Sequence, residues 1–131
     1  RGPMFDQGIL VKETIPNGIP AGMQCFAMNQ RRPLFADRRV RWALAHAFDF
    51  EWTNTHLFYG MYERTDSYFE NSEMEAQGVP SAAELAILTP LGDLLWPEVF
   101  ARDYSPPSTA GPNGLRRNLL TALEMLNAAV S

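Results

Sequence analysis

The stretch over residues 29–49, NQRRPLFADRRVRWALAHAFD, constrains this chain most tightly, because it sets out in order an extended entry, a helix start, an amphipathic run and a stop. Pro33 biases the residue before it toward extended backbone, and Asp37 offers an acceptor to the free amides of a first helical turn. A helix is therefore predicted from about Arg38. Val40, Ala43, Leu44, Ala47 and Phe48 recur at the spacing that places them on one face, while Arg38, Arg39, Arg41 and Ala45 look elsewhere. Asp49 suits a cap better than a helix interior, so it ends this helix and starts another over residues 50–58.

Around that pair the chain reads in simpler pieces. Residues 9–15 are rich in β-branched side chains and predict a strand, and residues 23–28 predict a second, mostly buried one, separated by a Pro- and Gly-rich connection. Gly60 is placed to close the second helix in a left-handed cap. Residues 61–78 are polar with interspersed aromatics and no period, which predicts a long structured loop of the kind that often carries function. Ser81 and Glu84 have the spacing of a capping box, so a helix is expected over residues 82–88. Pro90 and Pro97 leave only short helical turns after it, and residues 105–114 are an extended connection. The last helix is expected over residues 115–130, with Leu115, Leu119, Ala122, Leu123, Leu126 and Val130 on its core face and Asn118 among the residues elsewhere.

Composition narrows the function classes. With 131 residues, 46% hydrophobic and 20% charged, the chain fits one modest globular unit. Its formal net charge of −4 argues against a nucleic-acid binder that works by neutralising phosphates. The arginine run Arg31, Arg32, Arg38, Arg39 and Arg41 reads first as a solvated face. No apolar run reaches the length of a membrane span, and no leader precedes Arg1, so a chain that does not span a membrane is expected. The absence of an initiator methionine and the helical segment running up to Ser131 make an internal piece of something larger the expectation. Cys25 is expected to be a buried, inert thiol.

No catalytic constellation is present. His46 and His56 lack the converging partners of a zinc site, and Asp49 and Glu51 read as a capping pair, since two residues apart on a helix start they do not face one another. No nucleophile elbow, phosphate loop or dinucleotide fingerprint occurs, so neither enzyme activity nor a cofactor is expected. Aromatics are the better lead: Phe26, Tyr59, Tyr62, Tyr68 and Phe69 are the type of side chain that lines a concave ligand site, although each also serves as core filler.

The pattern Asn29-x-x-x-Pro33-x-Phe35-x-Asp37-x-Arg39-Val40-Arg41-x-Ala43-Leu44-x-x-Ala47-Phe48-Asp49 resembles the periplasmic solute-binding proteins of bacterial oligopeptide, dipeptide and nickel ABC importers. The resemblance continues through Gly22-Met23-Gln24-x-Phe26-x-x-Asn29, Leu57-Phe58-Tyr59-Gly60, Arg64-Thr65-x-Ser67-Tyr68-Phe69-x-Asn71-Ser72-Glu73, Glu84-Leu85-Ala86-x-Leu88 and Pro97-Glu98-Val99-Phe100. These look like the subgroup that includes the binding protein of the microcin C importer. Two places depart from that pattern: the lead into the last helix is Ala110-Gly111-Pro112-Asn113-Gly114, and the ending is Ala128-Ala129-Val130-Ser131.

The resemblance implies an α/β architecture: a helix-rich fragment of the second lobe of a type II periplasmic-binding fold, with two strands near its N-terminus. It implies a periplasmic protein that closes over an extended peptide or peptide-like ligand and delivers it to importer permease subunits. Gln24 and Phe26 are then the first candidates for ligand contact, with Tyr68, Phe69 and Asn71 second. Much of such a cleft would lie outside these residues, so the piece alone is expected to bind weakly or not at all. The rival expectation is a freestanding protein-interaction module with no transport role.

Overall fold

A computed structural model describes residues 2–130. A short helix α1 (Pro3–Asp6) leads into residues 7–32, which form neither helix nor strand. Then come α2 (Pro33–Ala36), α3 (Arg38–Ala47) and α4 (Phe50–Leu57), and a long loop over residues 58–81. Helix α5 (Ala82–Leu88) continues into a 3₁₀ turn (Thr89–Leu94), followed by α6 (Glu98–Ala101), an extended strap over residues 102–113, and α7 (Gly114–Val130).

The helix starts lie where the caps put them. The Asp37 carboxylate accepts the Arg39 amide at 2.8 Å and also the Arg39 guanidinium, which holds the carboxyl below its usual range. Asp49 accepts the Trp52 amide at 3.1 Å and starts α4. Ser81 and Glu84 satisfy each other's backbone amides as a complete capping box. Gly60 closes the turn after α4 with a φ of 72°, donating its amide to Asn54 O at 2.8 Å. Arg41 fastens α2 to α3 through Phe35 O at 2.6 Å and Ala36 O at 2.9 Å.

Helix α7 packs along α3, and this pair holds the core: Val40 and Ala43 on one side, Ala122 on the other. The face that α7 turns inward is not the leucine face expected from periodicity. Gly114, Asn118 and Ala122 are buried, whereas Leu115, Leu119, Leu123, Leu126 and Val130 are exposed. At 3.6 residues per turn the leucines sit roughly a quarter turn away from the packing face. Two contacts set this rotation. Asn118 Nδ2 donates to Ser108 O at 3.0 Å, and Gly114 lies so close beneath the strap that a Cβ there would stand 2.0 Å from Thr109 O. Under the strap, position 114 has no room for a side chain, and Asn118 satisfies a strap carbonyl that a leucine would leave unpaired. On α3 the expected face is only half covered, since Leu44, Ala47 and Phe48 are exposed.

The two N-terminal strands are a second correction. No strand occurs among the described residues, and residues 9–15 and 23–28 are irregular chain without a ladder. A strand needs a neighbour to take its amides and carbonyls, and three or more are needed for a stable sheet. Among the described residues no backbone hydrogen bond involves residues 22–28. Cys25 is accordingly exposed rather than buried.

The overall packing is open. A compact globular protein of 14.7 kDa exposes about 6,900 Å², whereas this chain exposes 11,024 Å². No helix of the described residues is long and apolar enough to cross a membrane.

Candidate ligand-binding site

The loop after α4 begins as a side-chain-to-backbone structure. Asn54 on α4 accepts the Tyr62 amide at 3.1 Å and donates to Tyr62 O at 2.6 Å, which fixes the loop's first turn beside Phe58. Further on, short polar side chains stand in for a ladder. The Phe69 amide donates to Ser67 Oγ, Ser72 Oγ donates to Phe69 O, and the Met74 amide donates to Ser72 Oγ. Asn71 sits at a φ of 58°, a left-handed position that asparagine tolerates better than most residues.

That turn aims the Asn71 side chain at the N-terminal segment. Its Nδ2 donates to Asn17 O at 3.0 Å and to Ile19 O at 2.8 Å, and the Ala21 amide donates to Glu70 O at 2.9 Å. Three hydrogen bonds thus dock residues 17–21 onto residues 70–71, and Gln24 and Phe26 follow within five residues. The structure therefore brings the two groups of candidate residues into one neighbourhood. It does not fold them into an enclosed pocket: Phe26 and Tyr68 are each 88% exposed and Phe69 is half exposed. Gln24 is exposed as well, and Asn71 is committed to holding the segment.

Acidic groups surround this junction. Asp66, Glu70 and Glu75 bring carboxylate oxygens within 4.8 Å of one another. Burial and then the neighbouring charges of Glu70, Glu75 and Asp103 raise the Asp66 carboxyl above its ordinary value. Glu70 accepts the Asp66 amide and Glu75 the Asn71 amide at 2.8 Å, so two of the three already shape the loop. The group is accounted for by turn formation.

A polar clasp behind the site escaped the sequence reading. Glu51 does more than sit in the first turn of α4. Its carboxylate accepts Ser108 Oγ, the Thr109 amide at 3.0 Å and Thr109 Oγ1 at 2.6 Å, and the Thr109 hydroxyl is shared with Asp49. Desolvation raises the Glu51 carboxyl, but these donors outweigh it and hold it down at about 2. Arg64, from the same long loop, donates to Pro107 O and to Ala45 O at 3.3 Å, with the Phe48 and Phe50 rings within 6 Å of its guanidinium. Strap, corner and loop are thereby tied together. The spacing of 57 and 58 residues between these partners left no local signal.

Sequence reasoning also missed an open groove of about 770 Å³ lined by Trp42, Trp96 and Tyr104 with Arg38 and Arg102. Arg38 stacks on Trp96 with its guanidinium carbon 3.6 Å from the ring centroid. The histidines are structural, as expected: Nδ1 of His46 and of His56 each meets the carbonyl four residues earlier, at 2.9 Å. None of the five candidate residues lines this groove.

Residues 6–129 match the family described as bacterial extracellular solute-binding proteins, family 5 Middle. The chain belongs to that family. A protein of Escherichia coli K12 called uncharacterized protein YejA is 44% identical over 98% of this chain and 21% of its own length. In Agrobacterium fabrum, a probable peptide-binding protein YejA is 39% identical over 97% of the chain, and a peptidoglycan-binding protein YepA is 36% identical over 97%. The chain spans about a fifth of the length of these curated relatives. The family and the two Agrobacterium fabrum relatives are described as binding proteins.

Proposed function

We propose that these residues form part of the second lobe of the substrate-binding component of an ABC importer, which takes up extended peptides or peptide-like ligands in the periplasm and hands them to permease subunits. The observation that carries the reading is the family match over residues 6–129, joined to a relative described as a probable peptide-binding protein. The lobed type II architecture and the periplasmic address belong to the same reading.

The geometry supports a division of labour within it. Residues 22–28 lie outside helices and have no backbone hydrogen bond among the described residues, which leaves their amides and carbonyls open to main-chain pairing with an extended peptide. Phe26 and Tyr68 are exposed aromatic rings on the two segments that meet at the Asn71 junction, and Gln24 and Phe69 lie next to them in the sequence. Asn71 positions the segment instead of touching the ligand. A peptide recognised through its backbone is held independently of sequence, and aromatic faces accept varied side chains. Without the remaining walls, these residues cannot take the ligand out of water.

Calorimetric titration of the full-length protein with linear oligopeptides and with peptidoglycan stem peptides tests this. Micromolar or tighter binding of one class by the full-length protein, with no measurable binding by residues 1–131 alone, is expected. Absence of binding for both classes by the full-length protein, or undiminished binding by the piece, overturns the reading.

A further inference from the structure

The long loop that carries Tyr68 and Phe69 closes on itself through short polar side chains, and Arg64 is where its middle is fastened to the rest of the molecule. The guanidinium donates through Nη1 to Pro107 O of the strap and through Nη2 to Ala45 O at 3.3 Å. Ala45 lies in the last turn of α3, whose carbonyls have no partner further along the helix, so the cation also stands at the favourable end of the helix dipole. The Phe48 and Phe50 rings stand 5.6 and 5.8 Å from the guanidinium carbon, and Glu51, the acceptor of Ser108 and Thr109, supplies a neighbouring negative charge. Half-buried among these groups, with each terminal nitrogen on a carbonyl, the side chain is committed to the core and is not offered to a ligand.

We propose that Arg64 is the positioning residue of the ligand-contact region: it sets where the turn bearing Tyr68 and Phe69, and through that turn the segment leading to Gln24 and Phe26, stands against the helices. The path is continuous. Two residues beyond Arg64 the Asp66 amide donates to Glu70, and the turn over residues 66–75 then closes through Ser67, Ser72 and Glu75. Glu70 and Asn71 carry residues 17–21 on that turn by three hydrogen bonds. Turn and segment thus form one unit, and between Tyr62 and Gly78 it is the Arg64 side chain that, among the described residues, reaches α3 and the strap. Arginine suits the place because its planar fork serves two acceptors in different directions, whereas the single ammonium of a lysine cannot hold both. The role in ligand contact rests on the peptide-binding reading; the attachment of the turn does not.

In the full-length protein, Arg64→Gln and Arg64→Lys are compared with wild type by amide hydrogen exchange and by calorimetric titration with linear oligopeptides and peptidoglycan stem peptides. Both variants are expected to exchange about tenfold faster over residues 17–21 and 66–77, with α3 and α7 within about twofold of wild type, and to bind peptide about tenfold more weakly. In a Tyr68→Ala background Arg64→Gln is expected to cost about threefold or less in affinity, because the arginine acts through the turn. Full recovery of exchange and affinity in Arg64→Lys would leave only a charge at a helix end and overturns the proposal. Unchanged exchange in Arg64→Gln overturns it too, as does an equal loss of affinity with and without the Tyr68 ring. If Arg64→Gln does not fold, Arg64→Lys decides by the same two readings. Binding of neither peptide class by the wild type removes the peptide-binding reading, and the exchange comparison then decides by itself whether Arg64 holds the turn.

Discussion

The strap over residues 102–113 and the segment over residues 9–28 are both irregular, Pro- and Gly-containing runs without a ladder, yet they end up in opposite conditions. The strap is fastened by side chains from three directions: Glu51 takes Ser108 and Thr109, Arg64 takes Pro107, and Asn118 takes Ser108. Thr109 is buried as a result. The N-terminal segment is docked onto the long loop by three hydrogen bonds at residues 17–21, and among the described residues no backbone hydrogen bond involves residues 22–28. The difference teaches that irregular chain is rigid here where charged or amide side chains from helices reach its carbonyls and amides. Where they do not, it remains available for a partner, and the available run is the one that carries Gln24 and Phe26.

The sharpest way to break the contrast is Gly114→Ala, which drives a methyl into Thr109 O and forces strap or helix to move. A loss of about 2–3 kcal/mol in the unfolding free energy of the full-length protein is expected from denaturant titration. An unchanged midpoint would show that the strap is not tightly seated. Next in size is the loss of ligand contact. Phe26→Ala and Tyr68→Ala in the full-length protein are each expected to weaken peptide affinity about tenfold with thermal stability unchanged, since both rings are exposed. A pair of variants that bind normally would remove these residues from the site.

Glu51→Gln tests the clasp itself. Removing the charge from the Ser108 and Thr109 acceptors is expected to cost about 1 kcal/mol at neutral pH, given the partial exposure of the carboxylate. Because the folded value lies at about 2, below the ordinary 4.5, this contribution is complete above about 4.5 and fades as pH falls toward 2. The variant's stability should therefore converge on wild type in acid, and parallel curves would contradict the assignment. The smallest effect belongs to Asn71→Gly, which keeps the left-handed backbone while deleting the two bonds to Asn17 and Ile19. Faster amide hydrogen exchange confined to residues 17–28, with global stability changed by under about 0.5 kcal/mol, is expected. Exchange that stays unchanged would mean the junction is held by something else.

Much of the local structure was legible because it depends on residues close in sequence. Asp37, Asp49 and the Ser81/Glu84 pair each cap amides two or three positions away, and Gly60 ends a helix by its own backbone freedom. The long aperiodic loop was legible for the complementary reason that nothing in it repeats. The family resemblance led to Gln24, Phe26, Tyr68, Phe69 and Asn71 as expected ligand contacts, and the structure adds that the segments carrying them meet at residues 17–21 and 70–71. Asn71 turned out to be a docking residue, which no local pattern could reveal.

By itself, then, the sequence determined where α3, α4, α5 and α7 lie and the family to which the chain belongs, but not the one-turn helices α1 and α2. The tertiary structure alone decided which face of α7 turns inward and what Glu51 does. Helix periodicity sorts apolar from polar residues without knowing the distance to the neighbour, and under the strap position 114 leaves no room for a Cβ while the Asn118 amide reaches a strap carbonyl. For the same reason the two β-rich segments read as strands and yet form none here: side-chain preference is local, whereas a strand exists only when another stretch of chain accepts its hydrogen bonds.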